Sequence, residues 1–216
     1  MGDVEDVRFG VFLVPDARTS AAVTDITRYL QAQFGLVSAR RFPPHITLVG
    51  SLPLGVSEDQ LLTEVEQVAA AHAPIELTNA GPTRLGEAVV VFDVHHDSEG
   101  QPNQPLVELA VAVTDAVGPL LRPVETLPAD IRDQGHWRGH FSLASHELIE
   151  RQDLREEVEE FIDGLDVSYP DSFLTTRLAV YRLRHQNWSG RWWNSFEWAH
   201  VRSFTLTGSP ASRVPG

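Results

Sequence analysis

The sequence predicts an α+β fold: antiparallel sheets and helices, arranged as two similar lobes. Three observations lead there. Short apolar, β-branched runs bounded by Gly and Pro alternate with segments whose apolar residues recur at helical spacing. The strands come in pairs, with few of the long crossovers a parallel sheet needs. The second half of the chain repeats the layout of the first.

"VRFGVFLVP" reads as the first strand from its apolar and β-branched content. "TSAAVTDITRYLQAQFG" follows as a helix, with Val23, Ile26, Leu30 and Phe34 on one face and Gly35 as its stop. "PPHITLVGSL" is a strand entered through prolines. "SEDQLLTEVEQVAAAH" opens with Ser57 and Gln60 at capping-box spacing and turns Leu61, Val65 and Val68 inward. "IELTNAGPTRLGEAVVVFDV" reads as two strands around a Gly/Pro turn.

"HHDSEGQPNQP" is the one loop-like break, so the boundary between halves is expected near residues 96–105. Beyond it, "NQPLVELAVAVTDAVGP" is a helix with Leu106, Leu109 and Val113 on one face. "GHFSLAS" is a short strand, and "RQDLREEVEEFIDG" an acidic amphipathic helix. "FLTTRLAVYRLR" and "EWAHVRSFTLTG" are strands joined by a tryptophan-rich loop. Residues 1–208 are expected to form a single bilobal domain, and residues 209–216 a disordered tail.

Composition narrows the chemistry. The 216 residues carry a formal charge of −13, which disfavours binding to long nucleic acid. Without cysteine there is no disulfide, thiolate metal site or cysteine nucleophile. All 17 basic residues are arginine, so no lysine can serve as nucleophile or Schiff base. No apolar run is long enough for a signal peptide or membrane helix, so a cytoplasmic, soluble, monomeric protein is expected.

Against this background one pattern stands out. His45 and Thr47 sit two apart inside an apolar strand, and His140 and Ser142 repeat the arrangement. Ser and Thr together make up 27 residues, so among nine histidines about one such spacing should arise by chance. There are three. His96 with Ser98 lies in a polar loop and is the chance case. The other two share an apolar middle residue, a following Leu and a strand context. Residues i and i+2 of a strand point to one face, so each pair projects together. Two imidazoles facing one groove can take a proton from an attacking group and give one to a leaving oxygen. The two hydroxyls can donate to phosphate oxygens that gain charge in the transition state.

"PPHITLVGSL" and "GHFSLAS" resemble the paired His-x-Thr/Ser motifs of the two-histidine (2H) phosphoesterase superfamily, which includes the 2′-5′ RNA ligase-like proteins and RNA 2′,3′-cyclic phosphodiesterases. The resemblance implies a bilobal fold of two pseudo-symmetric sheets with the motifs facing across a cleft. It implies metal-independent hydrolysis of 2′,3′-cyclic phosphates, or cleavage of 2′-5′ phosphodiesters, in nucleotides or RNA ends, with no cofactor. His45 and His140 would be the acid–base pair, in an order left open, and Thr47 and Ser142 would hold the phosphate. Ser142 stands where threonine is commoner, and its hydroxyl keeps the hydrogen bond. The alternative is a nucleotide or RNA-end binding protein with little catalysis.

"RLAVYRLRHQNWSGRWWNSFEW" combines arginines with four tryptophans and is either a core-closing segment or a nucleotide-binding wall. Alternation puts Tyr181, Leu183 and His185 on one face and Arg182 and Arg184 on the other. Only one set can face the cleft, so Tyr181 and Arg182 are alternative substrate contacts. Of Trp192 and Trp193, at most one is expected to touch a ligand. His136 and His146, even joined by His95 and His96, match no metal-ligand spacing, and no metal site is expected. His72 is expected to cap a helix or face solvent, and His185 and His200 to lie on the surface.

Overall fold

The computed structural model describes residues 6–86, 89–122 and 137–209. The expected tail from residue 210 onward, and His136, lie outside these residues. The chain runs β1 (Asp6–Val14), α1 (Ala17–Phe34), β2 (Ile46–Leu52), α2 (Glu58–Ala71), β3 (Ile75–Thr78), β4 (Pro82–Leu85), β5 (Val89–Asp93) and α3 (Gln104–Val117). It continues with β6 (His140–Ala144), α4 (His146–Glu150), α5 (Arg155–Asp163), β7 (Ser172–Thr175), β8 (Arg177–His185) and β9 (Glu197–Thr205). Every strand pairing between these elements is antiparallel.

Local chemistry accounts for the helix ends. The Asp16 carboxylate accepts the Thr19 N–H at 2.8 Å at the start of α1, and Ser57 and Gln60 complete the capping box of α2. Asn103 caps α3, with Pro105 in its first turn, where a missing N–H costs nothing.

Strand pairing cuts across the two sequence halves. The four-stranded sheet runs β2-β1-β8-β9, the three-stranded sheet β4-β5-β6, and β3 pairs with β7. Each half therefore lends strands to the other side. The segment 75–94 forms three strands rather than two, because Asn79 and Gly81 turn the chain between β3 and β4: the Asn79 side chain accepts the Gly81 N–H at 3.0 Å. The run 172–185 likewise splits at Thr176, so that β7 and β8 join different sheets. The short helix α4 follows β6 directly.

Most of the apolar side chains form one core, including Leu13, Ile26, Leu30, Leu48, Phe92, Leu109, Phe141 and Leu178. A second cluster of Phe12, Phe42, Leu183 and Phe196, with Tyr181, Trp188 and Trp192 packed against it, lies on one face of the four-stranded sheet. The histidine motifs sit beside it. None of the described helices is long and apolar enough to cross a membrane.

Candidate active site

β2 and β6 carry the two motifs into neighbouring positions. His45 immediately precedes β2, and Thr47 lies opposite Phe12 of β1. His140 opens β6 opposite Asp93 of β5, and Ser142 lies opposite Val91. Two ties fix the strands relative to one another. The Trp137 indole donates to the Thr47 carbonyl at 3.1 Å, joining the segment before His140 to the strand after His45. The Glu147 carboxylate accepts the N–H groups of Val37 and Ser38, each at 2.7 Å.

The two histidines are held in the same way. His45 Nδ1 lies 2.7 Å from the Pro43 carbonyl, and His140 Nδ1 lies 2.7 Å from the Arg138 carbonyl. A carbonyl only accepts, so each Nδ1 carries the hydrogen. Each Nε2 is left as the basic nitrogen of the neutral ring. The residue two positions back thus sets tautomer and orientation in both motifs.

Burial holds the His45 pKa down at about 4, against the opposing pull of the Pro43 carbonyl, and a proton on His140 lowers it further. The rings are therefore near enough that charge on one disfavours charge on the other. Burial also lowers the His140 pKa, opposed by the Arg138 carbonyl and the Asp93 carboxylate. Both histidines are thus predominantly neutral at pH 7.

A cavity of about 450 Å³ opens at the motifs, in the size range of small-molecule sites. His45, Thr47 and Ser142 line it, as do Trp192 and Trp193, whereas His140 is not among its lining residues. Among the described residues, Arg8 is the only lining side chain with a permanent charge, and no carboxylate lines the space. An uncharged-to-cationic pocket in a chain of charge −13 is suited to an anion.

The alternation on β8 resolves in favour of the tyrosine face. Leu183 lines the cavity, and Tyr181 packs edge-on to Phe12 and Phe42, whose rings also flank His45 at 4.7 Å each. Tyr181 buttresses the wall without lining the cavity. Arg182 points to the opposite face, where its guanidinium pairs with Glu58 of α2 and Nε lies 3.1 Å from that carboxylate. The strand's period of two forbids both from reaching the cleft.

The remaining histidines fall elsewhere, with one exception. His72 ends α2 with Nδ1 2.7 Å from the Val68 carbonyl. His185 accepts the Asn187 N–H and lies 3.0 Å from Ser195 Oγ, and His200 contacts Ser203. His96 lies 3.3 Å from Asp93. Among the described residues, no three of His, Asp and Glu gather in a group that could hold a metal ion. The exception is His146, which lines the cavity. It had no strand periodicity to flag it, because it starts a five-residue helix absent from the sequence reading.

Residues 15–187 match the 2′-5′ RNA ligase superfamily. The chain belongs to that superfamily. Both motifs fall within the matched span. No curated protein matches the chain. Among solved structures, TT0787 of Thermus thermophilus is similar at 15% identity and a TM-score of 0.55, over 94% of this chain and 100% of that one. E. coli LigT, solved with NADP+, is similar at 14% identity and a TM-score of 0.52, over 94% and 99% of the two chains. At these identities the likeness is one of fold, and the fold is that of the 2H phosphoesterases.

Proposed function

We propose that the protein is a metal-independent phosphodiesterase that opens 2′,3′-cyclic phosphates, or cleaves 2′-5′ phosphodiesters, of nucleotides or RNA ends. The observation that carries this reading is the matched pair of imidazoles. Each has Nδ1 committed to a backbone carbonyl and Nε2 available, one at each of two cavity-side motifs. Members of the superfamily are generally phosphodiesterases, and LigT shows that this fold can hold a dinucleotide.

In this reading the phosphate lies against Thr47 and Ser142, whose hydroxyls donate to its non-bridging oxygens. Nε2 of one neutral histidine takes a proton from water as the water oxygen bonds to phosphorus. The bond from phosphorus to a ribose oxygen breaks, and that oxygen takes a proton from Nε2 of the other histidine, present as imidazolium. Water is consumed and a phosphomonoester forms. The two rings supply both proton transfers, so no step requires a metal.

The test is turnover of the four nucleoside 2′,3′-cyclic monophosphates, and of a short RNA ending in 2′,3′-cyclic phosphate, with EDTA present. The wild type is expected to release a phosphomonoester and the His45→Ala/His140→Ala double variant none. Binding without product in the wild type would replace the enzyme with a nucleotide-binding protein.

A further inference from the structure

Besides His45, His146 also lines the cavity, and the two-histidine chemistry leaves it without a task. Its ring lies flat on Trp193, with centroids 4.6 Å apart and planes 13° apart, and edge-on to Trp192 at 5.3 Å. Stacking therefore fixes the ring without using its nitrogens. His45 and His140 each bond a carbonyl through Nδ1, whereas neither His146 nitrogen makes a hydrogen bond among the described residues. An imidazole with both nitrogens uncommitted, held flat at the wall of an open cavity, is what a polar ligand edge would complete.

The surroundings select the ligand. Trp188, Trp192 and Phe196 line the same cavity, which suits a flat aromatic ring. Burial lowers the His146 pKa, so at neutral pH the ring is neutral, with one donor and one acceptor. Ser142 is four residues away along the chain, a span of at most about 14 Å, and both side chains line the same cavity.

We propose that His146 hydrogen-bonds the polar edge of a nucleobase seated against the tryptophan loop. The site is then built for base-bearing nucleotides rather than for base-free cyclic phosphates. This rests on the phosphate site proposed above.

The experiment is calorimetric binding of the four nucleoside 2′-monophosphates and of 1-O-methylribofuranose 2-phosphate, which lacks a base. The proteins are the wild type and His146→Phe, a change that keeps a flat ring against Trp193 and removes both nitrogens. The wild type should bind at least one nucleotide about 10-fold or more tighter than the base-free ligand. His146→Phe should lose about 5- to 10-fold of that preference, with its affinity for the base-free ligand and its melting temperature unmoved. An undiminished preference in His146→Phe, or no preference in the wild type, overturns the inference. The phosphate reading fails separately, if Thr47→Val and Ser142→Ala leave affinity for the base-free ligand intact. A wild type that binds neither ligand overturns both.

Discussion

The two motif regions share a backbone device and differ in everything around it. Around His45 the walls are aromatic: Phe12 and Phe42 meet the ring edge-on, with Tyr181 and Leu183 behind them. His140 has a polar neighbourhood instead, where Asp93 lies opposite on β5 and itself contacts His96 and Arg138 at 3.3 and 3.7 Å. In both regions the carbonyl two residues back fixes the tautomer. The device therefore settles which nitrogen is left basic, while the walls settle how readily it holds a proton. A two-histidine mechanism needs the first to be alike in both motifs and the second to differ between the partners.

The largest expected effect tests the likeness. His45→Ala and His140→Ala should each cut kcat/KM on a 2′,3′-cyclic phosphate by about 10²–10⁴-fold, the usual worth of a positioned acid or base. If one variant keeps near-normal turnover, the two motifs are not equivalent partners and the shared device is only structural. Next in size are the hydroxyls. Thr47→Val and Ser142→Ala should each cost about 10- to 10²-fold, mainly in kcat, if both donate to the phosphate as charge develops. A loss confined to one would mean that only one lobe grips the phosphate.

The difference between the walls is tested through pH. Burial lowers both histidine pKa values, so kcat/KM, which reports the free enzyme, should be maximal below about pH 6.5, the ordinary histidine value. Asp93→Asn removes a charge that favours protonated His140, so His140 should titrate lower and the optimum should move further toward acid. An unmoved profile would show that Asp93 serves only its local partners, among them the His95 N–H at 2.8 Å. Stability should follow the other wall. His45 binds its proton less readily folded, at about pKa 4, than unfolded, near 6.5. Its contribution is then full above about pH 6.5 and drains away as pH falls toward 4, amounting to at most about 3 kcal/mol. Denaturant melts of wild type and His45→Gln across this range should converge at the acid end.

Much of this asymmetry was not legible in the sequence, for a physical reason. The period of two placed His45 with Thr47 and His140 with Ser142, because that rule is local. Helix ends were equally plain at Ser57 and Gln60, where a few consecutive residues complete the cap. Which strand lies beside which is a long-range matter that periodicity does not encode. The exchange of β8 and β9 into the sheet of β1, and the placing of Asp93 opposite His140, were therefore hidden. His146 was hidden too, since its meaning comes from tryptophans about 46 residues further on. One further position shows what a strand pattern leaves out. A Cβ on Gly10 would stand 2.4 Å from the Phe12 ring, so only glycine lets that ring fold back beside His45.

The smallest expected effect concerns the face of β8 that the pattern left open. Tyr181 and Arg182 are adjacent, and only the tyrosine turns toward the aromatic wall. Arg182 pairs with Glu58 near the start of α2, where the first turn's acidic residues already favour the helix dipole. Arg182→Ala should therefore lower stability by about 1 kcal/mol or less, as a partly exposed ion pair does, and leave kcat/KM within about two-fold. Tyr181→Ala should act on turnover as well as on stability. It removes a ring that supports Phe12 and Phe42, loosens the wall around His45, and lowers turnover several-fold without touching substrate. If instead the arginine variant loses turnover and the tyrosine variant does not, the cleft lies on the α2 side of the sheet. The cavity assigned to the motifs would then be the wrong one.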